Sequence, residues 1–257
     1  MSRPINRGPR EWDAETYDAV SDPQFEWGME VLSRIDLRGD ERVLDAGCGS
    51  GRITEQLAER LPHGQLIAVD GSEGMIDKAR ERLGDRVTYL VADLSDLELE
   101  ERVDLIFSTA TFHWILDHDR LFRQLRAALL DDGRLVAQCG GEGNVAEYAA
   151  AIRTVTSRPQ FAPHFEGMDR IWNFAGTEET EQRLREAGFE EIRCWLEPKP
   201  VTPEHPIEFA SVVTLGPHIA RLPEDLKRPF VEAVVEQAGT PLTLDYVRLN
   251  IDARVPG

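Results

Sequence analysis

Short apolar runs alternate along the chain with longer stretches in which apolar residues recur every three to four positions. The runs at 42–46, 65–70, 87–92, 103–108 and 134–139 are β-rich and bounded by Gly or Asp, as buried strands are. Between them, 52–61, 73–83 and 119–130 carry the amphipathic period of helices. Strand and helix in strict alternation is the pattern of βαβ units, which build a parallel sheet covered on both faces. Right-handed crossovers then bring the carboxyl ends of those strands to one edge.

Beyond Cys139 the alternation breaks. Gly140-Gly141-Glu142-Gly143-Asn144 is a flexible turn, 144–156 reads as a helix, and 157–176 is proline- and aromatic-rich without a regular period, as a pocket wall or lid is. Thr177-Glu178-Glu179 caps a helix that stops at Gly188, and a strand follows at 189–196. Residues 203–238 form two helices broken near Leu222-Pro223, and 246–253 alternates as a half-exposed strand does. Ahead of the sheet, 1–10 is a loose arm, and Ser21-Asp22-Pro23 starts a helix running to about Ile35. The chain reads as one domain: an N-terminal arm and helix (1–38), a core (39–140), lid segments (141–176 and 200–240), and a closing helix with strands (177–199 and 241–257).

The most informative stretch is Val43-Leu44-Asp45-Ala46-Gly47-Cys48-Gly49-Ser50-Gly51-Arg52. A turn of glycines and small residues between a strand and a helix lets a ligand lie against bare backbone, and the helix N–H groups favour negative charge there. The spacing Gly47-x-Gly49-x-Gly51 departs from the G-x-G-x-x-G of dinucleotide sites. Asp45 before the turn suits a cationic ammonium better than a pyrophosphate. The next strand ends in Asp70, nineteen residues past Gly51, where an acid can accept both ribose hydroxyls. The alternative is that both aspartates cap the helices that follow.

On these residues, with the later Asp93, the chain resembles the class I S-adenosylmethionine-dependent methyltransferases, and more narrowly the small-molecule group containing trans-aconitate methyltransferase. The core motifs span roughly 40–140. The resemblance implies a doubly wound, mostly parallel seven-stranded sheet whose last strand is antiparallel beside the fifth. It implies S-adenosylmethionine as cofactor and S-adenosylhomocysteine as product. Candidate cofactor residues are Tyr17, Asp45, Gly47, Cys48, Gly49, Gly51, Asp70, Gly71, Met75, Ala92, Asp93, Leu94 and Ser108. Met75 falls where it lies on an adenine face or simply packs in the core. Asp93 either accepts from the adenine amino group or caps a helix. Trp12 and Tyr17 lie over the cofactor or pack on the domain edge.

The segment Ser108-Thr109-Ala110-Thr111-Phe112-His113-Trp114 follows a central strand beside the glycine turn, and Phe-His-Trp at this point is shared with the trans-aconitate methyltransferase-like group. His113 is the candidate catalytic residue, with Gln24, His113, Trp114 and Arg248 as candidate substrate contacts. A carboxylate acceptor is already ionised at neutral pH and needs donors or a cation. A phenol or alcohol acceptor needs His113 as base. A third possibility leaves His113 as a hydrogen-bonded core residue.

Charge and cysteine usage narrow the partners. Among 257 residues, 29 Lys and Arg against 47 Asp and Glu leave a net charge of −18, which argues against nucleic acid or an anionic membrane. No apolar run is long enough to span a bilayer and no secretory signal is visible. Cys48, Cys139 and Cys194 show no C-x-x-C pattern, so neither disulfides nor zinc are implied and a reducing cytoplasm is the default. The resemblance implies O-methylation of a small carboxylic acid, with methylation of a hydroxyl, phenol or amine as the alternative, by an enzyme acting as monomer or homodimer. A nicotinamide-dependent dehydrogenase and a non-catalytic cofactor-binding module are the competing readings.

Overall fold

The computed structural model describes residues 22–257. Trp12, Tyr17 and Ser21 lie outside the described residues. Seven strands form one sheet in the order β3-β2-β1-β4-β5-β7-β6. They are β1 Arg42–Ala46, β2 Gln65–Asp70, β3 Thr88–Val91, β4 Val103–Thr109, β5 Leu129–Gly140, β6 Glu190–Pro198 and β7 Val247–Arg254. The first five pair in parallel, and β7 runs antiparallel between β5 and β6. This is the doubly wound, mostly parallel seven-stranded sheet expected from the sequence, with the last strand antiparallel beside the fifth.

The continuous apolar runs are explained by layering. Val43 and Leu105 pack on the face that carries Val31, Ile53, Leu57 and Ile76, whereas their neighbours Leu44 and Ile106 pack on the face that carries Leu121, Phe122 and Leu184. Helices α1 (Asp22–Leu32), α2 (Arg52–Glu59) and α3 (Glu73–Leu83) cover the first face; α4 (His118–Ala128) and α7 (Thr177–Ala187) cover the second. A strand with no wet face has no reason to alternate.

Between β5 and α7 lie α5 (Ala146–Thr156) and the single turn α6 (Ala162–Phe165). Between β6 and β7 lie α8 (Pro206–Phe209), a π turn at Ala210–Thr214, α9 (Gly216–Ile219) and α10 (Glu224–Ala238), which begins directly after Pro223. These two insertions pack on each other. Tyr148, Ile152, Phe161, Phe209, Phe230 and Val234 form a core separate from the two sheet faces, joined by Trp27 and Tyr246.

Three local expectations are corrected. Strand β7 is not half-exposed: it is buried along most of its length because strands flank it on both sides. Its polar residues face a buried network instead. Asn250 Oδ1 accepts from Gln138 Nε2 at 2.9 Å and Arg34 Nη1 at 2.6 Å, and Asp252 takes both arms of Arg134 at 2.8 and 2.6 Å. Strand β5 starts at Leu129 rather than 134, because Leu129 pairs with Val103 before a register shift, and α4 therefore ends at Ala128. Gly176, not Thr177, is the N-cap of α7; Thr177 is its first helical residue.

Candidate functional site

The carboxyl ends of β3, β2, β1 and β4 open together into a cavity of about 1630 Å³. That exceeds the usual 300–1,000 Å³ of a single small-molecule pocket and suffices for two ligands. The insertions close it from above with Tyr148, Val213 and Tyr246 and with the 168–174 loop.

At the cofactor-like end, three positive-φ glycines shape the turn. Gly51 (φ 86°) is the N-cap of α2, and its N–H bonds back to the Cys48 carbonyl at 3.1 Å. Gly47 (φ 86°) lies against Thr111, so closely that a Cβ there would overlap the threonine side chain. A Cβ at Gly49 (φ 54°) would meet no protein atom within 4 Å: this residue borders open space. The turn thus leaves bare backbone facing a cradle, which is what a closely held ligand requires.

Asp70 ends β2 at the cavity wall. Its Oδ2 accepts the Gly49 N–H at 3.0 Å and its Oδ1 accepts the Ser72 N–H at 2.9 Å. The two backbone donors fix the carboxylate plane, and each oxygen has acceptor capacity beyond one bond. Ser72 caps α3 by accepting the Met75 N–H at 3.3 Å, which sets Met75 in the first turn at the cavity. Asp93 accepts the Ser95 N–H at 2.8 Å, and Leu94 and Gly71 complete this wall. Asp93 therefore caps a turn and lines the cavity at once.

Asp45, Cys48, Gly51, Ala92 and Ser108 are not among the residues lining the cavity. Asp45 lies behind the loop, fully buried, accepting the Thr54 hydroxyl at 2.7 Å. Burial, reinforced by the nearby Asp70, pushes its pKa up to about 7. Ser108 donates to the Ala46 carbonyl at 2.6 Å and ties β4 to β1. Burial, with the charges of Asp45 and Asp70, raises the Cys48 thiol well above its ordinary pKa, so it stays protonated.

At the other end, β4 turns sharply through Ala110, which takes a left-handed φ of 56° and donates its N–H to the Gln138 carbonyl at 2.8 Å. A left-handed alanine costs about 1–2 kcal/mol, and the turn carries His113 and Trp114 to the cavity wall on a single 3₁₀ turn. His113 Nδ1 accepts the Gly140 N–H at 3.2 Å. Burial, and after it the positive charge of Arg248, holds its pKa well below the usual histidine range. The ring is therefore neutral near pH 7, and with Nδ1 accepting, its hydrogen is on Nε2. Arg248 is buried on β7, its guanidinium 4.9 Å above the Trp27 ring. Gln24 on α1 also lines the cavity, and its Oε1 is buried with no partner among the described residues.

His113, Trp114, Gln24 and Arg248 are thus brought together, although 224 positions separate Gln24 from Arg248. Thr109 and Thr111, Tyr148, Trp172 and Phe174 line the same cavity and were not singled out from the sequence. The threonines carry a readable signal, being at the end of the strand next to the glycine turn. Trp172 and Phe174 fall in the 157–176 segment already read as a pocket wall, which has no period to say which of its rings face a ligand, and Tyr148 lies on a helix whose apolar positions read as core.

A doubly wound sheet with a glycine turn after its first strand and an acid at the end of the second defines a nucleoside-cofactor-binding enzyme. Residues 43–133 match the methyltransferase domain family. Over 95% of its length the chain is 32% identical to malonyl-[acyl-carrier protein] O-methyltransferase of Geobacter sulfurreducens, covering 94% of that protein. It is 28% identical to trans-aconitate 2-methyltransferase of Variovorax paradoxus, over 93% and 94% of the two chains. Among solved structures, Haemonchus contortus phosphoethanolamine N-methyltransferase 2 in complex with S-adenosyl-L-methionine superposes with a TM-score of 0.63 at 21% identity, over 95% of this chain and 57% of that longer one. The chain belongs to the class I S-adenosylmethionine-dependent methyltransferases. No described helix is long and apolar enough to cross a membrane.

Proposed function

We propose that the protein methylates a carboxylate oxygen of an organic acid. The observation that carries this reading is the state of His113: neutral, with Nδ1 committed to the Gly140 N–H and the hydrogen on Nε2. Such a ring donates a hydrogen bond and has no free lone pair with which to take a proton. A carboxylate needs a donor and a positive field, supplied here by His113 and the buried Arg248, and no base. A phenol or alcohol would need the base that His113 is not. The named relatives, which act on trans-aconitate and on malonyl-[acyl-carrier protein], agree with an acid acceptor.

The cavity fits S-adenosylmethionine on the structure's own terms: open space over Gly49 beside a backbone-fixed Asp70. Asp70 would take the ribose hydroxyls, Met75, Asp93 and Leu94 the adenine, and the Gly47–Gly49 backbone the methionine end. Asp45, one layer behind, holds Thr54 and the start of α2 in place. When bound, the cofactor supplies an activated methyl: an oxygen–carbon bond forms, the carbon–sulfur bond breaks, and its electron pair stays on sulfur. The chain's part is to align the acceptor oxygen, shield it from water and stabilise it until transfer. Gln24 and Trp114 complete the acceptor side of the wall.

The test is incubation with methyl-labelled S-adenosylmethionine and a panel of acids, phenols and amines, followed by mild base. Release of the label as methanol is expected, since a methyl ester hydrolyses. Label that survives base would overturn the carboxylate assignment. Cofactor binding without transfer to any panel member would favour a non-catalytic module.

A further inference from the structure

Strand register sets a row of polar side chains beside the acceptor end of the cavity. Gln138 on β5 lies directly opposite Asn250 on β7, and Asn250 lies opposite Trp195 on β6. Side chains two apart on a strand share a face, so Arg248 stands beside Asn250 on that face. Its own cross-strand partner is Gly140, which has no side chain to meet it. A Cβ at Gly140 would strike Phe174, whose ring is stacked between His113 at 5.8 Å and Trp172 at 5.6 Å. Arg248 instead meets the residue two before that glycine: its Nε donates to Gln138 Oε1 at 3.4 Å. From the turn after α1, Arg34 reaches the far end of the row, its guanidinium 5.0 Å from the Trp195 ring.

The row has a single hydrogen-bonding polarity, imposed from both ends. Arg34 can only donate, so the Asn250 atom 2.6 Å from its Nη1 is the oxygen. That oxygen also faces Gln138 at 2.9 Å, so Gln138 turns its NH2 toward it and keeps Oε1 for the other side. Arg248, again a donor only, takes that Oε1. Reversing either amide would set like groups against each other at both of its contacts. Gln138, Arg248 and Asn250 are each at most 2% exposed, so bulk water is not at hand to repair a mismatch.

The guanidinium of Arg248 also lies 4.9 Å from the Trp27 ring. A planar fork held at one edge and on one face has one orientation. Strand β5 thus controls both acceptor-side groups: the Gly140 N–H sets the His113 ring, and Gln138 sets Arg248. The two groups act at one place, since the charge of Arg248 disfavours protonation of that ring.

Resting on the carboxylate reading above, we propose that Gln138 and Asn250 are positioning residues which, anchored by Arg34, hold the Arg248 guanidinium in the orientation that receives the acceptor carboxylate. Neutral amides suit this task, because they orient the cation without adding negative charge beside it. The acceptor is charged before transfer and neutral as an ester afterwards, so a fixed cation acts chiefly on binding. Its misalignment raises KM more than it lowers kcat.

The test compares Asn250→Asp, which keeps accepting oxygens for Arg34 and Gln138, with Asn250→Leu, which fills the space without them. A packing role would rank them the other way, since Leu suits a buried site and Asp brings a charge into it. In the free full-length chain, the Arg248 Nε–H, assigned in 15N-arginine spectra by its loss in Arg248→Lys, should exchange slowly with water. Asn250→Asp should keep it slow, and Asn250→Leu should speed it about tenfold. With methyl-labelled cofactor, KM is then measured on whichever of trans-aconitate, malonate and 3-phenylpropanoate is esterified fastest. Asn250→Leu and Gln138→Met should raise KM about tenfold with a smaller change in kcat, while Asn250→Asp stays within about twofold. S-adenosylhomocysteine affinity should be the same in all. Arg34→Met, at the part-buried end of the row, should raise KM about threefold and serves should Asn250→Leu unfold. Fast exchange in the parent, a larger KM in Asn250→Asp than in Asn250→Leu, or unchanged KM in every folded variant would overturn the proposal. Base-stable label, or label on no acid, would overturn the carboxylate reading and this assignment with it. The exchange pattern, read without any acid, tells that failure from a failure of the row itself.

Discussion

His113 accepts, through Nδ1, the backbone N–H of Gly140 at 3.2 Å. One hydrogen bond from a neighbouring strand therefore decides what the ring offers a ligand, because a neutral imidazole with an accepting Nδ1 presents an N–H at Nε2.

Removing that donor should be measurable. His113→Ala is expected to lower kcat/KM on the true acid about ten- to a hundredfold, the equivalent of about 1–3 kcal/mol for one lost hydrogen bond. His113→Gln, which keeps a donor, should recover part of it. Unchanged turnover in His113→Ala would make His113 a core residue.

The pH profile separates donor from base. Because its pKa is depressed, His113 protonates only below the usual range, so kcat at saturating cofactor and acid should stay flat between about pH 6.5 and 8.5. A limb rising through pH 7 would show a base at work.

Asp45 gives stability the opposite dependence. Its carboxyl sits at about 7 in the fold against 3.8 ordinarily, so the fold binds its proton more tightly than the unfolded chain does. Its stabilising contribution is complete below about pH 4 and is lost as pH rises through 7, an effect of up to about 4 kcal/mol. Asp45→Asn, which keeps an acceptor for Thr54, should raise the Tm of the free protein at pH 8 and change it little near pH 4. An equal shift at both pH values would contradict the buried, protonated carboxyl.

Two glycines two residues apart should fail in different ways. Gly47→Ala drives a methyl into Thr111 and should destabilise the fold by about 1–3 kcal/mol. Gly49→Ala meets no protein atom and should cost only the left-handed strain of about 1–2 kcal/mol, yet weaken S-adenosylhomocysteine binding at least tenfold. Thermal melts beside calorimetric titrations distinguish them.

Asp70→Asn replaces one accepting oxygen by an NH2 group that faces a backbone donor. Loss of S-adenosylhomocysteine affinity by ten- to a hundredfold is expected, at about 1–3 kcal/mol for the disrupted acceptor. Affinity within twofold of the parent would remove Asp70 from the cofactor site.

Much of the parallel half of the sheet was legible because each strand and helix there is a local pattern, and because glycine at 47, 49 and 51 answers a local demand for positive φ. Strand β7 misled for a physical reason. Alternation of Leu249, Ile251 and Ala253 with Arg248, Asn250 and Asp252 reads as one wet face, but that face is buried against Arg34, Gln138 and Arg134. Polar alternation records which face holds polar partners, and water is only one of them.

From the chain alone follow the order of strands and helices, the glycine turn, and the acids that end β2 and follow β3, since all of these are set by residues close in sequence. Tertiary structure alone decided the rest. It put Asp45 behind the wall rather than in it, gave His113 its tautomer through a residue 27 positions away, and set Trp172 and Phe174 beside that ring. Burial, tautomer and ring stacking depend on what long-range folding places within a few ångströms, and no local pattern encodes that.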